Sequence, residues 1–190
     1  MPQFTTKPKI IGLTGLAGSG KDTVRSILEQ RHGYIGMAFA DSIRTILGSF
    51  LHQIGADRSY MHDRALKERP IPGLDVSYRH MAQTLGTEWG RSIHPDIWLR
   101  SAKARAQAHR HTHPHPLVFS DVRFANEADW VREMGGEVWR VERDAAEPVR
   151  DHVSENIDAL QACRVVKNHG DMNDLTAFID AVMWDRRAPT

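Results

Sequence analysis

The sequence predicts an α/β fold in which a parallel β-sheet is covered by helices on both faces. Short apolar runs of strand length alternate along the chain with segments whose apolar residues recur at helical spacing. The first run, residues 10–14, ends in a glycine-rich turn that leads directly into such a helical segment. In sheets built from these units, ligands bind at the carboxyl ends of the strands.

Five apolar runs are candidate strands, because turn residues or polar residues bound each of them. Residues 117–120 are the clearest example, with His115 and Pro116 before the run and Asp121 after it. A run that is apolar throughout is typical of a strand buried on both faces. The five candidate strands are residues 10–14, 34–39, 117–120, 138–141 and 163–166.

Helical periodicity fills the intervals between these runs. One strongly amphipathic helix is expected to begin at Asp41, and Gly135 with Gly136 is expected to close a later one. Residues 55–73 are polar and charged, so they predict a mobile loop with some helix. The other expected helices are residues 24–28, 78–89, 96–109, 124–131 and 175–182.

A chain of 190 residues fits one compact domain. We expect a core at about residues 8–54 and 116–185, with a helical insertion at about residues 55–115 between its strands. Hydrophobic residues make up 41% of the chain and charged residues 26%, which is ordinary for a globular protein. This composition argues against wholesale disorder and against a membrane protein.

The formal net charge is +1, so the chain lacks the basic field with which general nucleic-acid binders collect phosphate backbones. Cys163 is the single cysteine, which excludes an internal disulfide and suits a reducing cytosol. We interpret it as core packing. No signal-like N-terminus and no run of about 18 apolar residues are seen, so no membrane association and a cytoplasmic location are expected.

The turn after the first strand has the spacing of a phosphate-binding loop, in which a glycine, four residues, glycine and Lys21 follow one another. Its backbone N–H groups and the following helix N-terminus would hold the β-phosphate of ATP, and Lys21 would bridge the β- and γ-phosphates. The predicted cofactor-binding residues are Gly15, Ala17, Gly18, Ser19, Gly20, Lys21, Asp22 and Thr23.

Asp22 stands where the commonest form of this motif has a hydroxyl that binds Mg²⁺. We expect Thr23 to contact the α-phosphate, and Mg²⁺ to be held through water and through the carboxylates of Asp22 and Asp121. The loop by itself leaves open whether the γ-phosphoryl group passes to water or to an acceptor.

Five further short sequence motifs follow the Gly-Lys-Asp-Thr end of the loop along the chain. They are Phe39-Ala40-Asp41, Leu85-Gly86-Thr87-Glu88-Trp89-Gly90-Arg91, Pro95-Asp96-Ile97-Trp98, Asp121-Val122-Arg123-Phe124-Ala125-Asn126-Glu127 and His152-Val153-Ser154-Glu155. Together they resemble the bacteriophage deoxynucleoside monophosphate kinases, over nearly the whole chain. The resemblance implies a P-loop kinase core, an acceptor-binding insertion and a short lid at about residues 143–155. If the protein is phage-encoded, its expected location is the host cytoplasm.

Two departures from the family pattern concern single positions. Ser42 stands where proline is frequent, and Asn168-His169-Gly170 stands where Asn-Asp-Gly is usual. The resemblance implies that the Asn168 segment lies beside the adenine of ATP, so Asn168 is a predicted cofactor-binding residue.

Arginines are expected around the migrating phosphoryl group, because phosphoryl transfer depends on positive charge and on the exclusion of water. Arg79 and Arg91 of the insertion could grip the acceptor's α-phosphate, and Arg143 and Arg150 could close over the phosphates from the lid. For each of them, an idle charge on a solvated surface is the alternative.

Asp41 could accept a proton from the acceptor or arrange its phosphate through Arg44, and a plain helix cap is the alternative. Asp121 and Arg123 are predicted catalytic residues beside Lys21, Asp41 and Arg143. Asn126 and Glu127 are predicted to bind substrate. A capping network for the following helix is the alternative for Arg123, Asn126 and Glu127.

Trp89 and Trp98 could stack on the acceptor base, although buried core packing is the alternative for both. Histidines alternate with other residues at 109, 111, 113 and 115, and we interpret this stretch as a solvated connector without a catalytic part.

The predicted function is ATP-dependent phosphorylation of a deoxynucleoside 5′-monophosphate, with ATP and Mg²⁺ as cofactors, by a monomer or a homodimer. One alternative is a related kinase acting on dephospho-coenzyme A or phosphomevalonate. The other is a P-loop ATPase or nucleotide switch without a small acceptor.

Overall fold

The structure is a computed structural model that describes residues 8–143 and 160–184. The chain divides into two compact units, of which the first comprises Met1–Ala38 with Ala108–Thr190 and the second comprises Phe39–Gln107. Each unit is described by itself. Among the described residues, no helix is long and apolar enough to cross a membrane.

The first unit contains a five-stranded sheet in which every neighbouring pair of strands is parallel. The strand order is β2-β3-β1-β4-β5, so β1 lies at the centre between β3 and β4. All five predicted strands are confirmed: β1 has the predicted bounds, and the ends of the others are shifted by at most two residues. The strands are β1 (Ile10–Thr14), β2 (Ile35–Met37), β3 (Leu117–Phe119), β4 (Glu137–Glu142) and β5 (Arg164–Lys167).

Helices cover both faces of this sheet. Successive side chains of the central strand point to opposite faces, so neighbouring residues of β1 pack against different helices. Ile11 and Leu13 of β1 belong to a core cluster with residues of α1 and α7. On the other face, a Cβ atom at Gly12 would lie only 2.8 Å from Val122 Cγ2 and 3.2 Å from Val131 Cγ2. Glycine at this position therefore lets α6 pack closely on the sheet. The helices are α1 (Lys21–His32), α6 (Ala125–Glu133) and α7 (Met172–Trp184).

The second unit is helical and has its own core. The predicted helix at Asp41 is confirmed, and its residues Ile43, Leu47 and Leu51 pack with Tyr78 and Trp98. This packing groups the helix with the insertion that follows it in the chain. The helices are α2 (Asp41–Gln53), α3 (Tyr78–Gln83), α4 (Gly90–Ile93) and α5 (Ile97–Thr112), whose last turn belongs to the first unit.

Three irregular segments connect these helices. The polar stretch predicted as a loop contains two 3₁₀ turns, Arg58–Met61 and Leu66–Glu68. A π-helical segment, Thr84–Trp89, joins α3 to α4, so the helix predicted at 78–89 continues to Ile93. Segments of π-helix are rare, and they frequently occur at functional sites.

Two sequence-based interpretations are wrong at the level of individual residues. Cys163 is exposed rather than packed in the core, although its Sγ donates a hydrogen bond to the Val138 carbonyl at 3.3 Å. The histidine stretch is not wholly a connector, because α5 continues beyond His109, the predicted end of its helix, to Thr112 and so includes His111.

Candidate active site

The glycine-rich turn between β1 and α1 adopts a backbone that only glycine adopts readily. Gly15, Gly18 and Gly20 have φ angles of 142°, 80° and 101°. Space also demands glycine, because a Cβ atom at Gly15 would lie 2.3 Å from the Val141 carbonyl oxygen. The sequence signature is therefore matched by the strand, loop and helix that a phosphate-binding loop requires.

Lys21 is the first residue of α1, and its side chain folds back over the loop. Its Nζ donates hydrogen bonds of 2.7 Å to the carbonyl oxygens of both Gly15 and Leu16. Ser19 N–H donates to the same Leu16 carbonyl at 3.2 Å, which closes the turn. The ammonium group is thus held at the mouth of a ring of backbone groups that precedes a helix N-terminus, a favourable place for an anion.

Two hydroxyl groups beneath the loop are buried without a hydrogen-bond partner among the described residues. They belong to Thr14 at the end of β1 and to Ser19, which is 1% exposed. Buried polar atoms in folded proteins nearly always have partners. The loop therefore has spare polar capacity at its base, which fits the binding of a phosphate group.

The predicted metal ligands fit a weakly held ion rather than a protein cage. Asp22 is exposed in the first turn of α1, and Asp121 is nearly buried just after β3. Within the described ranges, no three histidine, cysteine, aspartate or glutamate side chains form a group that could hold a metal. Mg²⁺ usually keeps several waters and uses one or two carboxylates plus substrate phosphates, so these two residues are compatible with it.

Four predicted residues follow strands of the first unit and therefore lie at one edge of the sheet. Gly15 follows β1, Asp121 follows β3, and Arg143 and Asn168 follow β4 and β5. Because all pairs are parallel, these strand ends share the carboxyl edge. The sequence predicted that this edge would collect Gly15, Asp41, Asp121 and Arg143. The topology is compatible with this for Gly15, Asp121 and Arg143, whereas Asp41 begins a helix of the second unit.

Glu127 has a capping role that explains its burial, at 3% exposure. Its Oε2 accepts hydrogen bonds from the backbone N–H groups of Arg123 at 2.8 Å and Phe124 at 3.1 Å. Asn126 Oδ1 in turn accepts from the N–H of Glu127 at 3.1 Å. The capping alternative therefore describes Glu127, and we do not retain it as a substrate ligand. Arg123 itself is exposed just before this helix.

Asn168 contacts the phosphate loop, which sequence reasoning did not anticipate. Its Nδ2 donates to the Ser19 carbonyl at 2.9 Å, and its backbone N–H donates to Glu142 O at 2.8 Å. The residue is 8% exposed. No local pattern could reveal this contact, because Asn168 and Ser19 are 149 positions apart in the chain and meet only in the folded structure.

In the second unit, Asp41 bridges two arginines. Its Oδ1 accepts from Arg44 Nη1 at 2.9 Å, and its Oδ2 accepts from Arg105 Nη1 at 2.8 Å. Asp41 is the first residue of α2, whose cap is Ala40, so the helix-cap alternative is wrong. The contact with Arg44 is compatible with the predicted role, in which Asp41 arranges the acceptor's phosphate through Arg44. Arg105 was missed because it lies far along the chain, on α5.

The two arginines of the second unit that were predicted to grip the acceptor's phosphate, Arg79 and Arg91, have defined partners. Arg79 Nε donates to Glu68 Oε1, and Arg91 Nη1 donates to the Pro95 carbonyl at 2.9 Å. These contacts hold the side chains in place, which is different from the idle surface charge of the alternative interpretation. Arg44 lies near Tyr78, whose pKa is raised by burial and, to a smaller extent, lowered by the Arg44 charge.

The two tryptophans of the second unit differ sharply. Trp98 is 6% exposed, its Nε1 donates to the Gly86 carbonyl at 2.6 Å, and a Cβ atom at Gly90 would lie 2.4 Å from its ring. Trp98 is therefore core packing, and base stacking is not retained for it. Trp89 ends the π-helical segment and is 50% exposed, so its indole face is available.

Some predictions fall on residues outside the described ranges. These are Arg150, most of the predicted lid at 143–155 and the His152-Val153-Ser154-Glu155 block. Arg143 is the one lid residue that the structure describes, and it is exposed.

A parallel sheet in the order β2-β3-β1-β4-β5, with a glycine-lysine loop after its central strand, defines a P-loop kinase fold. A solved structure with a similar fold is shikimate kinase from Aquifex aeolicus vf5, with a TM-score of 0.51 and 12% identity. The match covers 94% of this chain and 98% of that one. At this identity the likeness concerns the fold alone.

The family described as deoxynucleotide monophosphate kinase matches residues 73–179. A protein of Acanthamoeba polyphaga mimivirus, described provisionally as a deoxynucleotide monophosphate kinase, is 31% identical over 156 residues, which are 77% of this chain and 80% of that protein. The chain therefore belongs to the deoxynucleotide monophosphate kinase family. It is an enzyme of the nucleoside monophosphate kinase class.

Proposed function

We propose that this enzyme transfers the γ-phosphoryl group of ATP to a deoxynucleoside 5′-monophosphate, giving the diphosphate and ADP. The observation that carries the proposal is the loop from Gly15 to Lys21, with three left-handed glycines and a lysine held at its mouth. Membership of the kinase family supports transfer to a nucleotide rather than to water.

Residues of the first unit would bind ATP, the phosphoryl donor. Backbone N–H groups of the loop would bind the β-phosphate, and Lys21 would exchange its carbonyl partners for β- and γ-phosphate oxygens. Arg123 and Arg143, which are exposed near the carboxyl edge of the sheet, would offset the charge that spreads over the γ-phosphoryl oxygens. Mg²⁺, near Asp22 and Asp121, would supply charge neutralisation between the phosphates.

Residues of the second unit would bind the nucleoside monophosphate, the phosphoryl acceptor. Arg44, Arg79 and Arg91 are candidates to hold the α-phosphate of the monophosphate, and Trp89 offers an indole face to its base. An oxygen of that phosphate forms the new P–O bond while the bond to the ADP oxygen breaks. The attacking phosphate is already largely deprotonated at neutral pH, so a strong general base is unnecessary.

The test is a coupled ADP-release assay with ATP, Mg²⁺ and a panel of deoxy- and ribonucleoside monophosphates, beside a reaction without acceptor. Stimulation by at least one deoxynucleoside monophosphate is expected. ATP consumption that no monophosphate stimulates would replace this proposal with an ATPase or switch. Turnover only with dephospho-coenzyme A or phosphomevalonate would assign a related kinase.

We further propose a cytoplasmic setting, with the host cytoplasm applying to a phage-encoded protein, and a monomer or homodimer that needs no nucleic-acid polymer. The low net charge supports the last point. Size-exclusion chromatography with light scattering would report the oligomeric state directly.

A further inference from the structure

The buried amide of Asn168 contacts the phosphate loop from outside it. The residue follows β5, and its backbone N–H is anchored on the Glu142 carbonyl at the end of β4. From this fixed position, Nδ2 donates to the Ser19 carbonyl at 2.9 Å. The loop is therefore attached to the edge of the sheet two strands away from its own strand.

The segment after Asn168 is also constrained. Asp171 and Asp174 cap the start of α7 reciprocally, since the Asp174 carboxylate accepts from Asp171 N–H at 3.1 Å and the Asp171 carboxylate accepts from Asp174 N–H at 3.0 Å. A Cβ atom at Gly170 would lie 2.3 Å from Asp174 Oδ2. Asn168 thus lies between a strand and a capped helix, and these two elements hold its backbone in place beside the loop.

Holding the Ser19 carbonyl fixes more than that oxygen. Peptide bonds are planar, and none of those described is cis, so the carbonyl of Ser19 and the N–H of Gly20 point in opposite directions. When Asn168 holds the carbonyl, the Gly20 N–H must face away from Asn168. Gly20 immediately precedes Lys21, and its N–H is one of the donors that a phosphate-binding loop presents to the β-phosphate.

The packing leaves this peptide no freedom to approach Asn168 further. Gly20 has a φ of 101°, and a Cβ atom there would lie 2.3 Å from Asn168 Nδ2. The amide therefore fills the space that any side chain at residue 20 would need. This contact and the hydrogen bond to Ser19 act on the same peptide unit from the same side.

We propose that Asn168 is a positioning residue for phosphate binding, whose amide orients the Ser19–Gly20 peptide so that the Gly20 N–H meets the nucleotide phosphate. The inference rests on the proposed function, because it requires the loop to bind the phosphates of ATP. It differs from the adenine contact that family resemblance implies. A contact to adenine would discriminate between bases, whereas a contact that orients the loop acts on every ligand bearing a triphosphate.

The experiment measures dissociation constants for ATP, GTP and inorganic tripolyphosphate by titration calorimetry, using the full chain. Asn168→Asp keeps the size but loses the donor and adds a charge, and Asn168→Ala loses the donor without adding charge. Asn173→Asp is the matched control, because Asn173 is exposed on α7 a few residues away. Thermal unfolding of each variant verifies that it is folded at the assay temperature.

Both Asn168 variants are expected to bind all three ligands at least about tenfold more weakly, with equal factors for each ligand in the alanine variant. The control should match the wild type. Unchanged tripolyphosphate affinity in Asn168→Ala would overturn the inference, and an accompanying loss for ATP alone would assign a base contact instead. Failure of the wild type to bind either tripolyphosphate or ATP would instead refute the proposed function, and the inference with it.

Discussion

Two loop carbonyls, those of Gly15 and Leu16, accept hydrogen bonds from the Lys21 ammonium group. A phosphate must therefore compete with those carbonyls, and it does so as a charged acceptor, which forms stronger hydrogen bonds than a neutral one. This makes Lys21 the side chain on which donor binding depends most directly.

Replacing Lys21 with alanine should lower kcat/KM by at least about a hundredfold, since a charge that stabilises the transferring group is lost. Lys9→Ala is the control, because Lys9 is exposed just before β1, at the opposite end of that strand from the loop. Steady-state ADP release with a saturating acceptor measures both. Retained activity in Lys21→Ala would remove the loop from the mechanism.

Gly20→Ala should abolish triphosphate binding and destabilise the fold beyond the cost of an unfavourable φ alone. Gly33→Ala provides the comparison, because its φ of 72° is also positive but a Cβ there meets nothing within 4 Å. The control should lose about 1–2 kcal/mol from the left-handed conformation. Urea unfolding of both variants and calorimetry with tripolyphosphate test the difference, and equal losses would show that the contact with Asn168 does not matter.

Single residues also show where sequence reasoning ends. The loop was predictable because its glycines, lysine and flanking apolar runs are contiguous in the chain. Asn168 and Arg105 were assigned no such contacts, because their partners Ser19 and Asp41 lie distant in sequence and meet them only after folding. The sequence does not distinguish the roles of Trp89 and Trp98. Only their exposure in the folded structure shows that Trp98 is buried and Trp89 is accessible.

At the scale of elements, the start of α6 depends on one buried carboxylate. Glu127 holds the N–H groups of Arg123 and Phe124, so it orders the turn that presents Arg123. Buried donors that lose their acceptor carry a cost of about 1–3 kcal/mol each. The helix start and the placement of a predicted catalytic arginine are therefore linked.

Glu127→Ala should lower the free energy of unfolding by about 1–3 kcal/mol and should also reduce kcat, because Arg123 loses its anchor. Glu133→Ala is the matched control, as Glu133 ends the same helix and is exposed. Urea unfolding and steady-state kinetics on both variants test the link. A stability loss without any kinetic change would separate Arg123 from the reaction.

Helix α2 presents Asp41 between Arg44 and Arg105, and the proposed function assigns Arg44 to the acceptor phosphate. Asp41→Asn should therefore raise the KM for the monophosphate more than the KM for ATP, because the arginines lose the carboxylate that orients them. Asp75→Asn makes the same charge change at an exposed site of the second unit. Equal effects of the two substitutions on both KM values would contradict the assignment.

At the scale of the whole molecule, the first unit joins the beginning and the end of the described chain. Arg31 and His32 of α1 both bind the Asp180 carboxylate of α7, with His32 Nε2 at 2.8 Å from Oδ1. Hydrogen bonding from Arg31 is the largest cause of a lowered pKa for Asp180. A carboxyl whose pKa is lower in the folded state stabilises the fold above its unfolded pKa, and this contribution is lost as the pH falls through the folded value.

Asp180→Asn should therefore cost about 0.5–1 kcal/mol of unfolding free energy at pH 7, a small value because the pair is partly exposed to solvent. The difference from wild type should shrink as the pH falls below about 4, the ordinary pKa of an aspartate. Asp129→Asn removes a more exposed pair with Arg132 within α6 and should change stability less. Urea unfolding between pH 7 and pH 3 tests both, and a constant difference across that range would contradict the prediction.

The overall architecture followed from the sequence because alternating strands and helices restrict the topology to a parallel sheet with right-handed connections. The strand order did not follow, since strand length and apolar character are similar in all five runs. The grouping of α2 with the insertion was also hidden. It depends on which neighbours cover Ile43, Leu47 and Leu51, and an amphipathic pattern shows only that one face must be covered.

The central place of β1 has a consequence for how the protein comes to function during synthesis. Ile11 pairs with Val118 and with Glu137, and the loop after β1 rests against the backbone of Val141. The strand made first must therefore wait for partners made much later, and such long-range pairing is slow to form. A nascent chain that ends before β4 would carry the whole phosphate-binding motif without the strand that supports it. Nucleotide capture should therefore follow the synthesis of β4 rather than that of the loop itself.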